Sequence, residues 1–491
     1  MTLTMPFDNT FAREMEGFYT PWQAEAAPAP ELLLLNEDLA VELGLDAAAL
    51  KSADAGAIFA GNEAPIGATP LSQIYAGHQF GGFSAQLGDG RALLLGEVLD
   101  VHGKRRDIQL KGSGRTPFSR GGDGKAALGP VLREYLIGEA MHGLGIPTTR
   151  ALAAVSTGEP VRRETELPGA VLTRVASSHL RVGTFQFFAA RGEIKKVQQL
   201  ANYCIARHYP ELASAENPYL ALLEAVRDRQ AALIAKWMHV GFIHGVMNTD
   251  NMTISGETID YGPCAFMDAY DAQTVYSSID TQGRYAYGAQ PVMGRWNIAR
   301  LAETLLPLIA DNEEAAVEAA TDAVAKFAEI YVGEWLTGVR AKLGLQSASN
   351  DDLDLANSLY TIMSEQKADH TNLFRSLSSA AVGDDAPVHA ELQDSAAVTP
   401  WLERWRARMA DDAMAPDARA QAMNAVNPVY VPRNHLVESA LKAAVETGQM
   451  TPFKLLLDIV KSPFEPKDGL ETYAQPASAA FGAGYKTFCG T

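Results

Sequence analysis

The first part of the chain carries apolar patterns typical of β-strands. Two short runs, Phe83–Leu87 and Ala92–Val98, flank the sequence Gly88-Asp89-Gly90-Arg91, which predicts a β-hairpin with its turn at the glycines. Further strands are predicted at Asp107–Lys111, Arg150–Ser156 and Gly169–Val175. Residues 1 to about 70 instead mix Pro- and Ala-rich connectors with short apolar stretches of helical spacing, such as Glu31–Gly44.

Helical spacing dominates the rest of the chain. After a glycine-rich loop at 112–124, a helix is predicted from about Pro130, a residue favoured in a first turn, to Gly143. From about Gln198 onward the chain is largely helical, and Leu220–His239 forms a long amphipathic pattern. Further helices are predicted at about 297–311, 313–343, 352–365, 400–409, 435–447 and 451–462, and a polar surface loop at 382–398. Strands followed by helices predict the α+β class.

Composition is that of an ordinary soluble globular protein. The chain has 491 residues, of which 47% are hydrophobic and 20% charged, and this length allows two or three domains. No run of 18 or more apolar residues occurs, so we expect no membrane span. The polar start lacks the basic and apolar regions of a secretory signal, which favours a cytoplasmic location. The three cysteines, Cys204, Cys264 and Cys489, match no disulfide scaffold or Cys-x-x-Cys metal pattern.

Charge is unevenly distributed along the sequence. The net charge of −18 argues against general nucleic-acid binding. Between Val101 and Lys125, however, seven Lys or Arg residues stand against two acids. A basic segment in an acidic protein is what a polyphosphate site requires, although a solvated loop would carry the same charges.

The segment from His244 to Asn251, HGVMNTDN, has the outline of a kinase catalytic loop with one displacement. In the pattern His-x-Asp-x-x-x-x-Asn the Asp is the base and the Asn holds a metal, but here Val246 occupies the place of the base. Asp250 directly precedes Asn251 and is the candidate base. Asp260 begins an Asp-Tyr-Gly sequence like the Asp-Phe-Gly metal-binding element, so Asn251 and Asp260 are candidate ligands for Mg²⁺ or Mn²⁺. The alternative interpretation is a turn cluster.

Other candidate residues lie in the strand-rich part. Lys111 ends a predicted strand and Glu134 lies on the next helix, the order in which kinases place a phosphate-binding Lys and the Glu that orients it. Each residue alone is equally consistent with a solvent-exposed position. The remaining candidates for contacts with a nucleotide are Gly88, Gly90, Arg91, Asp123, Gly124, Arg174 and Arg181. The alternative interpretations are a plain turn for Gly88–Arg91, a flexible linker for Asp123-Gly124, and surface charge for Arg174 and Arg181.

The order of elements is that of a two-lobed, protein-kinase-like fold with extensions at both ends. We expect an N-terminal extension at 1–80, a strand-rich nucleotide-binding lobe at 81–195, a helical lobe with the catalytic and metal loops at 196–345, and a helical C-terminal extension at 346–491. Ligands of such folds bind in the cleft between the lobes.

Long blocks of sequence resemble the SelO (YdiU) family of kinase-like protein adenylyltransferases. They are FAREMEGFYT, YAGHQFGGFSAQLGDGRA, DIQLKGSGRTPFSRGGDGKAALGPVLREYLIGEAM, HGVMNTDNM and IDYGPCAFMDAYD. The resemblance implies that ATP binds in a flipped orientation and that AMP passes to Ser, Thr or Tyr hydroxyls of acceptor proteins, releasing pyrophosphate. It also admits transfer of UMP from UTP with Mn²⁺.

The same resemblance implies roles for individual residues. Asp250 would be the base, Asn251 and Asp260 would hold the metal, and Lys111, oriented by Glu134, would bind phosphate. Gly88, Gly90, Arg91, Asp123, Gly124, Arg174, Arg181 and Asp260 would surround the nucleotide. The family also pairs a C-terminal cysteine with a loop cysteine, which here implies a redox disulfide between Cys264 and Cys489; two reduced thiols are the alternative.

Two other functions stay open at this point. An ordinary kinase would transfer the γ-phosphate, but Val246 in place of the base disfavours it. A non-catalytic pseudokinase scaffold does not require metal ligands, so the presence of Asn251 and Asp260 disfavours it. A nucleic-acid-binding protein is disfavoured by the charge and by the absence of interleaved basic and aromatic residues.

Overall fold

The computed structural model describes residues 5–51 and 53–488, which combine sheet and helix as the α+β class requires. The strands of the described residues are β1 (Tyr19–Pro21), β2 (Glu31–Leu35), β3 (Leu71–Gln73), β4 (Gly77–Gln79), β5 (Gly82–Ser84), β6 (Ala92–Leu99), β7 (Arg105–Lys111), β8 (Ala126–Ala127), β9 (Arg150–Arg162), β10 (Glu166–Ala176), β11 (Phe242–Ile243) and β12 (Ala265–Phe266).

An eight-stranded antiparallel sheet organises the first part of the chain. Its strand order is β1-β3-β6-β7-β10-β9-β2, and β8 pairs with β10. The strands β1, β2 and β3, from the first 80 residues, are part of this sheet. The short strands β4 and β5 form a separate hairpin, and β11 pairs with β12 beside the 244–251 loop.

Most helices of the described residues come after the strands of the large sheet in sequence, whereas those at Glu37–Glu42, Ala53–Ala60 and Leu128–Gly143 lie between those strands. They are α1 (Thr10–Glu14), α2 (Glu37–Glu42), α3 (Ala53–Ala60), α4 (Leu128–Gly143), α5 (Val182–Ala189), α6 (Ile194–His208), α7 (Pro218–His239), α8 (Gln290–Ile309), α9 (Glu313–Ala325), α10 (Phe327–Lys342), α11 (Asp352–Gln366), α12 (His370–Ala381), α13 (Ala386–Ala390), α14 (Thr399–Met409), α15 (Pro416–Asn424), α16 (Asn434–Thr447), α17 (Thr451–Val460) and α18 (Ala479–Gly484). None of them, within the described residues, is long and apolar enough to cross a membrane.

Strand β7 explains how the sheet supports a polar site. Ile108 and Leu110 point into an apolar core that also contains residues of α2 and α3. Because successive side chains of a strand alternate between its faces, Gln109 and Lys111 project from the opposite face. Arg174 of β10 is paired with Gln109 in the sheet register and donates a hydrogen bond to its side chain. A polar stripe therefore crosses two central strands.

Helix α4 is held between the sheet and the C-terminal helices. Leu132, Tyr135 and Leu136 lie in one core with residues of β9 and β10 and with Phe453 and Leu457 of α17. Burial of an aliphatic or aromatic side chain of this size stabilises a fold by about 1.5–3 kcal/mol. Since α4 is packed on both sides, the position of Glu134 relative to the sheet is well determined.

Two predictions for the strand-rich part were wrong. No hairpin turns at Gly88–Arg91; instead the N–H groups of Leu87 and Asp89 donate to the carbonyls of Tyr75 and Gln73, so this segment continues alongside the chain that precedes it. The stretch of helical spacing at Glu31–Gly44 is a strand over Glu31–Leu35 and a helix only over Glu37–Glu42. Its run of four leucines pairs with β9, and a short apolar run does not distinguish a buried strand from a helix.

The helical predictions were mostly confirmed, with shifted boundaries. The predicted helices over Pro130–Gly143 and Leu220–His239 correspond to α4 and α7. The single helix predicted at 313–343 is two helices, α9 and α10, which meet at Lys326. Helix α12 was not predicted, and the loop predicted at 382–398 contains the short helix α13.

Candidate active site

A cleft of about 1360 Å³ lies between the polar face of the sheet, the 244–251 loop and helix α16. The predicted site residues that line it are Gly88, Gly90, Arg91, Lys111, Asp123, Gly124, Glu134, Arg174, Arg181, Asp250, Asn251 and Asp260. Its lining includes ten Lys or Arg residues against seven Asp or Glu residues. In a chain of net charge −18, this local excess of positive charge suits a polyanion.

Lys111, Arg174, Glu134 and Asp260 form one buried ion network. Lys111 Nζ lies 2.6 Å from Glu134 Oε2 and 2.7 Å from Asp260 Oδ1. Arg174 Nη1 lies 2.6 Å from the same Asp260 oxygen and 3.1 Å from Glu134 Oε1. Burial by itself would raise the pKa of Asp260, but the charges of Lys111, Arg174 and Arg181 hold that pKa well below its ordinary value. Asp260 is therefore ionised and available to a cation.

Asp260 reaches this network through an uncommon backbone conformation. Its φ is +64°, in the left-handed region that few residues other than glycine adopt. The conformation costs on the order of 1–3 kcal/mol when it is not compensated. Here the ion pairs to Lys111 and Arg174 compensate it, so the backbone strain and the charge network are coupled.

Asp250 is a buried carboxylate on the floor of the cleft. Its Oδ2 accepts a hydrogen bond from Gln79 Nε2 at 3.3 Å, and its Oδ1 has no hydrogen-bond partner among the described residues. Burial raises the pKa of Asp250 to about 6. A carboxylate with one free oxygen and a raised pKa is suited to accept a proton.

The β4–β5 hairpin holds the 244–251 loop, and sequence reasoning missed it. The N–H of His78 donates to Thr249 Oγ1 at 2.7 Å, and the N–H of Phe80 donates to Asn248 Oδ1 at 3.0 Å. A Cβ at Gly77 would overlap Asp250 Oδ1, so only glycine lets the strand pass so close to the carboxylate. The one sequence signal was a concentration of glycine and aromatic residues at 75–83.

Arg181 is fully buried beside a second carboxylate that sequence reasoning treated as part of a turn. Its guanidinium lies 4.3 Å from the ring centroid of Tyr75 and 3.8 Å from Asp89 Oδ1. Asp89 Oδ2 accepts hydrogen bonds from the N–H of Gln73 and from Gln109 Nε2. Burial raises the pKa of Asp89 to about 6, and the charge of Arg181 opposes this rise. Asp89 therefore positions Arg181 at the cleft.

The glycines of the cleft permit close approach of backbone segments. A Cβ at Gly90 would lie 2.8 Å from the carbonyl oxygen of Phe118, and one at Gly88 would overlap the Phe118 ring. Gly124 has a φ of +67°, and its Cβ would overlap the carbonyl oxygen of Gly114. These glycines join the 85–91 segment to the glycine-rich loop.

Two charged residues complete the basic side of the cleft. Burial by itself would raise the pKa of Asp123, but the ion pair with Arg163, in which Asp123 Oδ2 accepts from Arg163 Nη1 at 2.8 Å, holds that pKa below its ordinary value. The side chain of Arg91 makes no ion pair or hydrogen bond with any of the described residues. Arg91 is therefore available for an anionic ligand.

Asn251 and Asp260, the residues expected to hold a metal, suit an ion that is also coordinated by the phosphates of a nucleotide. Asn251 Nδ2 donates to the carbonyl of Val246 at 3.0 Å, which leaves the amide oxygen for a ligand. Lys111 and Arg174 both contact Oδ1 of Asp260, which leaves Oδ2. Within the described part of the chain no three His, Cys, Asp or Glu residues form a metal cage. Mg²⁺ is commonly held by one or two side chains together with substrate phosphates, so these oxygens suffice.

Cys264 is buried outside the cleft lining, and Cys489 lies outside the described residues. Burial raises the pKa of the Cys264 thiol to about 12. The C-terminal segment crosses the rim of the cleft, where Tyr485 donates to Glu438 of α16 at 2.8 Å. Thr487 Oγ1 donates to the carbonyl of Pro263 at 2.7 Å, so this segment contacts the loop that contains Cys264.

Comparisons with known proteins identify the family of the chain. The family model for protein adenylyltransferase SelO matches residues 1–461. The chain is 61% identical to a protein nucleotidyltransferase YdiU of Cereibacter sphaeroides over all of both chains. It is 58% identical to proteins of that name from Rhizobium rhizogenes, over 99% of this chain and 97% of the relative, and from Chromobacterium violaceum, over 97% of this chain and all of the relative. The chain therefore belongs to the protein adenylyltransferase SelO family and is a nucleotidyltransferase enzyme.

Proposed function

We propose that this enzyme transfers AMP from ATP to Ser, Thr or Tyr hydroxyls of acceptor proteins in the cytoplasm. The observation that carries the proposal is Asp250, a buried carboxylate in a cleft rich in cationic side chains, whose Oδ1 has no hydrogen-bond partner among the described residues. The acceptor oxygen attacks the α-phosphorus, the bond from that phosphorus to the bridging oxygen breaks, and pyrophosphate leaves. Asp250 takes the proton of the hydroxyl.

The basic residues of the cleft are proposed to hold the triphosphate. Arg174 and Arg181 are buried and supply charge deep in the cleft, whereas Arg91 has no partner among the described residues. Lys111 binds phosphate while Glu134 keeps it in place at 2.6 Å. The flipped orientation of ATP is supported by the family resemblance and by this deep positive charge. Asp123, Gly88, Gly90 and Gly124 shape the loops around the nucleotide.

Asn251 and Asp260 are proposed to hold Mg²⁺ or Mn²⁺. The bound ion would neutralise charge that develops on the phosphates during transfer. Asp260 is suited to this role because the charges around it keep it ionised. Its contacts with Lys111 and Arg174 at Oδ1 leave the second carboxylate oxygen for the ion.

We propose a two-lobed, kinase-like arrangement around the cleft. The strand-rich segment 81–195 forms one lobe, 196–345 forms the helical lobe with the catalytic and metal loops, and 1–80 and 346–491 are extensions. The strands that 1–80 contributes to the sheet, and the contact of α17 with α4, support extensions that brace the lobes.

Labelled ATP tests the reaction directly. We expect label from the α-phosphate, and none from the γ-phosphate, on a generic acceptor protein with Mg²⁺ or Mn²⁺. Label from the γ-phosphate alone would establish a kinase, and label from neither with ATP still bound would establish a scaffold. Asp250→Ala should abolish transfer and leave ATP binding largely intact. Parallel reactions with α-labelled UTP and Mn²⁺ decide whether UMP is also transferred.

We also propose that Cys264 and Cys489 form a redox-sensitive disulfide. The contact of Thr487 with Pro263 brings the chain two residues before Cys489 to the residue before Cys264. Mass spectrometry after mild oxidation should find a peptide that joins the two cysteines. A Cys204–Cys489 link, or thiol labelling of the unfolded protein that does not change after mild oxidation, would contradict the pairing.

A further inference from the structure

Exposed aromatic rings lie together with arginines at one end of the cleft. We call this the aromatic–arginine patch and define it by five residues: Phe80 and Phe83 of the β4–β5 hairpin, Arg284, and Trp296 and Arg300 of α8. Phe80 is 37% exposed and Phe83 is 44% exposed. His78 links the two elements, because its ring lies 4.9 Å from that of Phe83 and 5.3 Å from that of Trp296. The hairpin and α8 therefore form one surface.

One of the two arginines of the aromatic–arginine patch has a guanidinium without an ion pair among the described residues. Arg284 and Arg300 lie 4.8 Å and 5.0 Å from the ring centroid of Trp296. Arg300 pairs with Glu303 at 2.6 Å. The guanidinium of Arg284 makes no ion pair with the described residues, although the Arg284 backbone N–H donates to Asp280 Oδ1 at 2.9 Å. The Nε of Arg284 is buried and has no hydrogen-bond partner there. Because the guanidinium has no ion pair with the described residues, its terminal Nη groups are available to a carboxylate.

The aromatic–arginine patch is directly connected to the proposed base. Gln79, which donates to Asp250, and Phe80 both line the cleft, and Phe80 also belongs to the patch. Tyr285, whose ring is 5.2 Å from that of Phe80, donates to Asn248 two residues before Asp250. A chain lying across the patch thus passes the end of the cleft where Asp250 is found.

We infer that the aromatic–arginine patch binds the acceptor protein through acidic residues beside the modified hydroxyl. The inference rests on the proposed function. Carboxylates of the acceptor pair with Arg284 and Arg300, and an apolar side chain packs on Phe80 and Phe83. In a chain of net charge −18, most of the surface repels an acidic partner, so a basic patch at the cleft selects where such a partner binds.

Binding of peptides tests the patch without any transfer step. Fluorescein-labelled peptides with one Tyr and either acidic or basic flanking residues are titrated with the full-length protein, and anisotropy is read. We expect the acidic peptide to bind at least tenfold more tightly at low salt, because its carboxylates pair with the arginines of the patch whereas the basic peptide is repelled by them. This preference should shrink as salt screens the charges. Equal affinity for the two peptides would overturn the inference.

Charge reversal provides the matched comparison. Arg284→Glu should reverse the preference between the acidic and the basic peptide, a result that loss of folding does not produce, and Arg284→Gln should remove it. Arg404→Glu is the control, because Arg404 is an exposed residue of α14 that pairs with Asp354. An equal loss of acidic-peptide binding in the Arg284→Glu and Arg404→Glu proteins would show a general charge effect and overturn the inference.

Transfer from α-labelled ATP to the same peptides separates the two proposals. If the wild-type protein labels neither peptide nor any generic acceptor protein, the proposed function fails. In that case the peptide-binding data still test whether the aromatic–arginine patch binds acidic chains. If both peptides are labelled with the same KM, the function stands and the patch is refuted. We expect a lower KM for the acidic peptide, reversed in Arg284→Glu.

Discussion

Replacing Asp89 with Asn should change how the stability of the protein depends on pH. The carboxyl of Asp89 is 1% exposed, and its Oδ1 has no hydrogen-bond partner among the described residues. Burial raises its pKa from 3.8 to about 6, although Arg181 opposes the rise. Each tenfold change in a proton equilibrium is worth about 1.4 kcal/mol, so the ionised form is disfavoured in the folded protein by about 3 kcal/mol.

The sign follows from the raised pKa. A carboxyl whose pKa is higher in the folded state contributes stability that is fully present below pH 3.8, the unfolded value, and is lost as pH rises through about 6. Roughly half of the 3 kcal/mol, about 1.5 kcal/mol, is lost between pH 5 and pH 8. In Asp89→Asn this loss is absent, because the amide does not ionise.

Urea unfolding at several pH values measures this difference. The free energy of unfolding of Asp89→Asn, relative to that of the wild-type protein, should increase by about 1.5 kcal/mol from pH 5 to pH 8. The comparison between pH values removes any constant cost of the amide itself, such as an unpartnered Nδ2 beside Arg181. A difference that does not change with pH, or that falls as pH rises, would refute the conclusion that burial raises the pKa of Asp89 in the folded protein.

Three further outcomes follow from the geometry of the cleft. Gly124→Ala should lower stability and nucleotide binding more than Gly121→Ala does. Both glycines have a positive φ, but only at Gly124 would a Cβ meet the carbonyl of Gly114. Equal shifts of the melting temperature in the two variants would contradict this. Arg174→Ala should reduce the free energy of unfolding by about 3–5 kcal/mol, because it removes a buried partner of Glu134 and Asp260. Urea unfolding of the alanine and lysine variants measures this loss. Gly77→Ala should reduce transfer while ATP affinity, measured by calorimetry, changes little, because its Cβ would overlap Asp250 Oδ1.

Local patterns in the sequence were sufficient for much of the secondary structure. The helix ending at Gly143 and the strand ending at Lys111 were confirmed, because periodicity and capping residues act over a few positions. The hairpin at Gly88–Arg91 was wrong for an instructive reason. The glycines of this segment are required because Phe118 packs closely against them. In the sequence, this tertiary contact gives the same glycine pattern as a tight turn.

The sequence by itself determined the family, the α+β class and the types of group that the cleft contains. Its long matching blocks and the Asp250-Asn251 and Asp260-Tyr261-Gly262 elements are visible without any structure. Only the tertiary structure decided how these groups meet. Lys111 and Asp260 are 149 residues apart in the chain and 2.7 Å apart in space, a contact that no local pattern encodes. Burial likewise arises only when elements pack, so the raised pKa of Asp89 and the buried Nε of Arg284, which has no hydrogen-bond partner among the described residues, became evident from the fold.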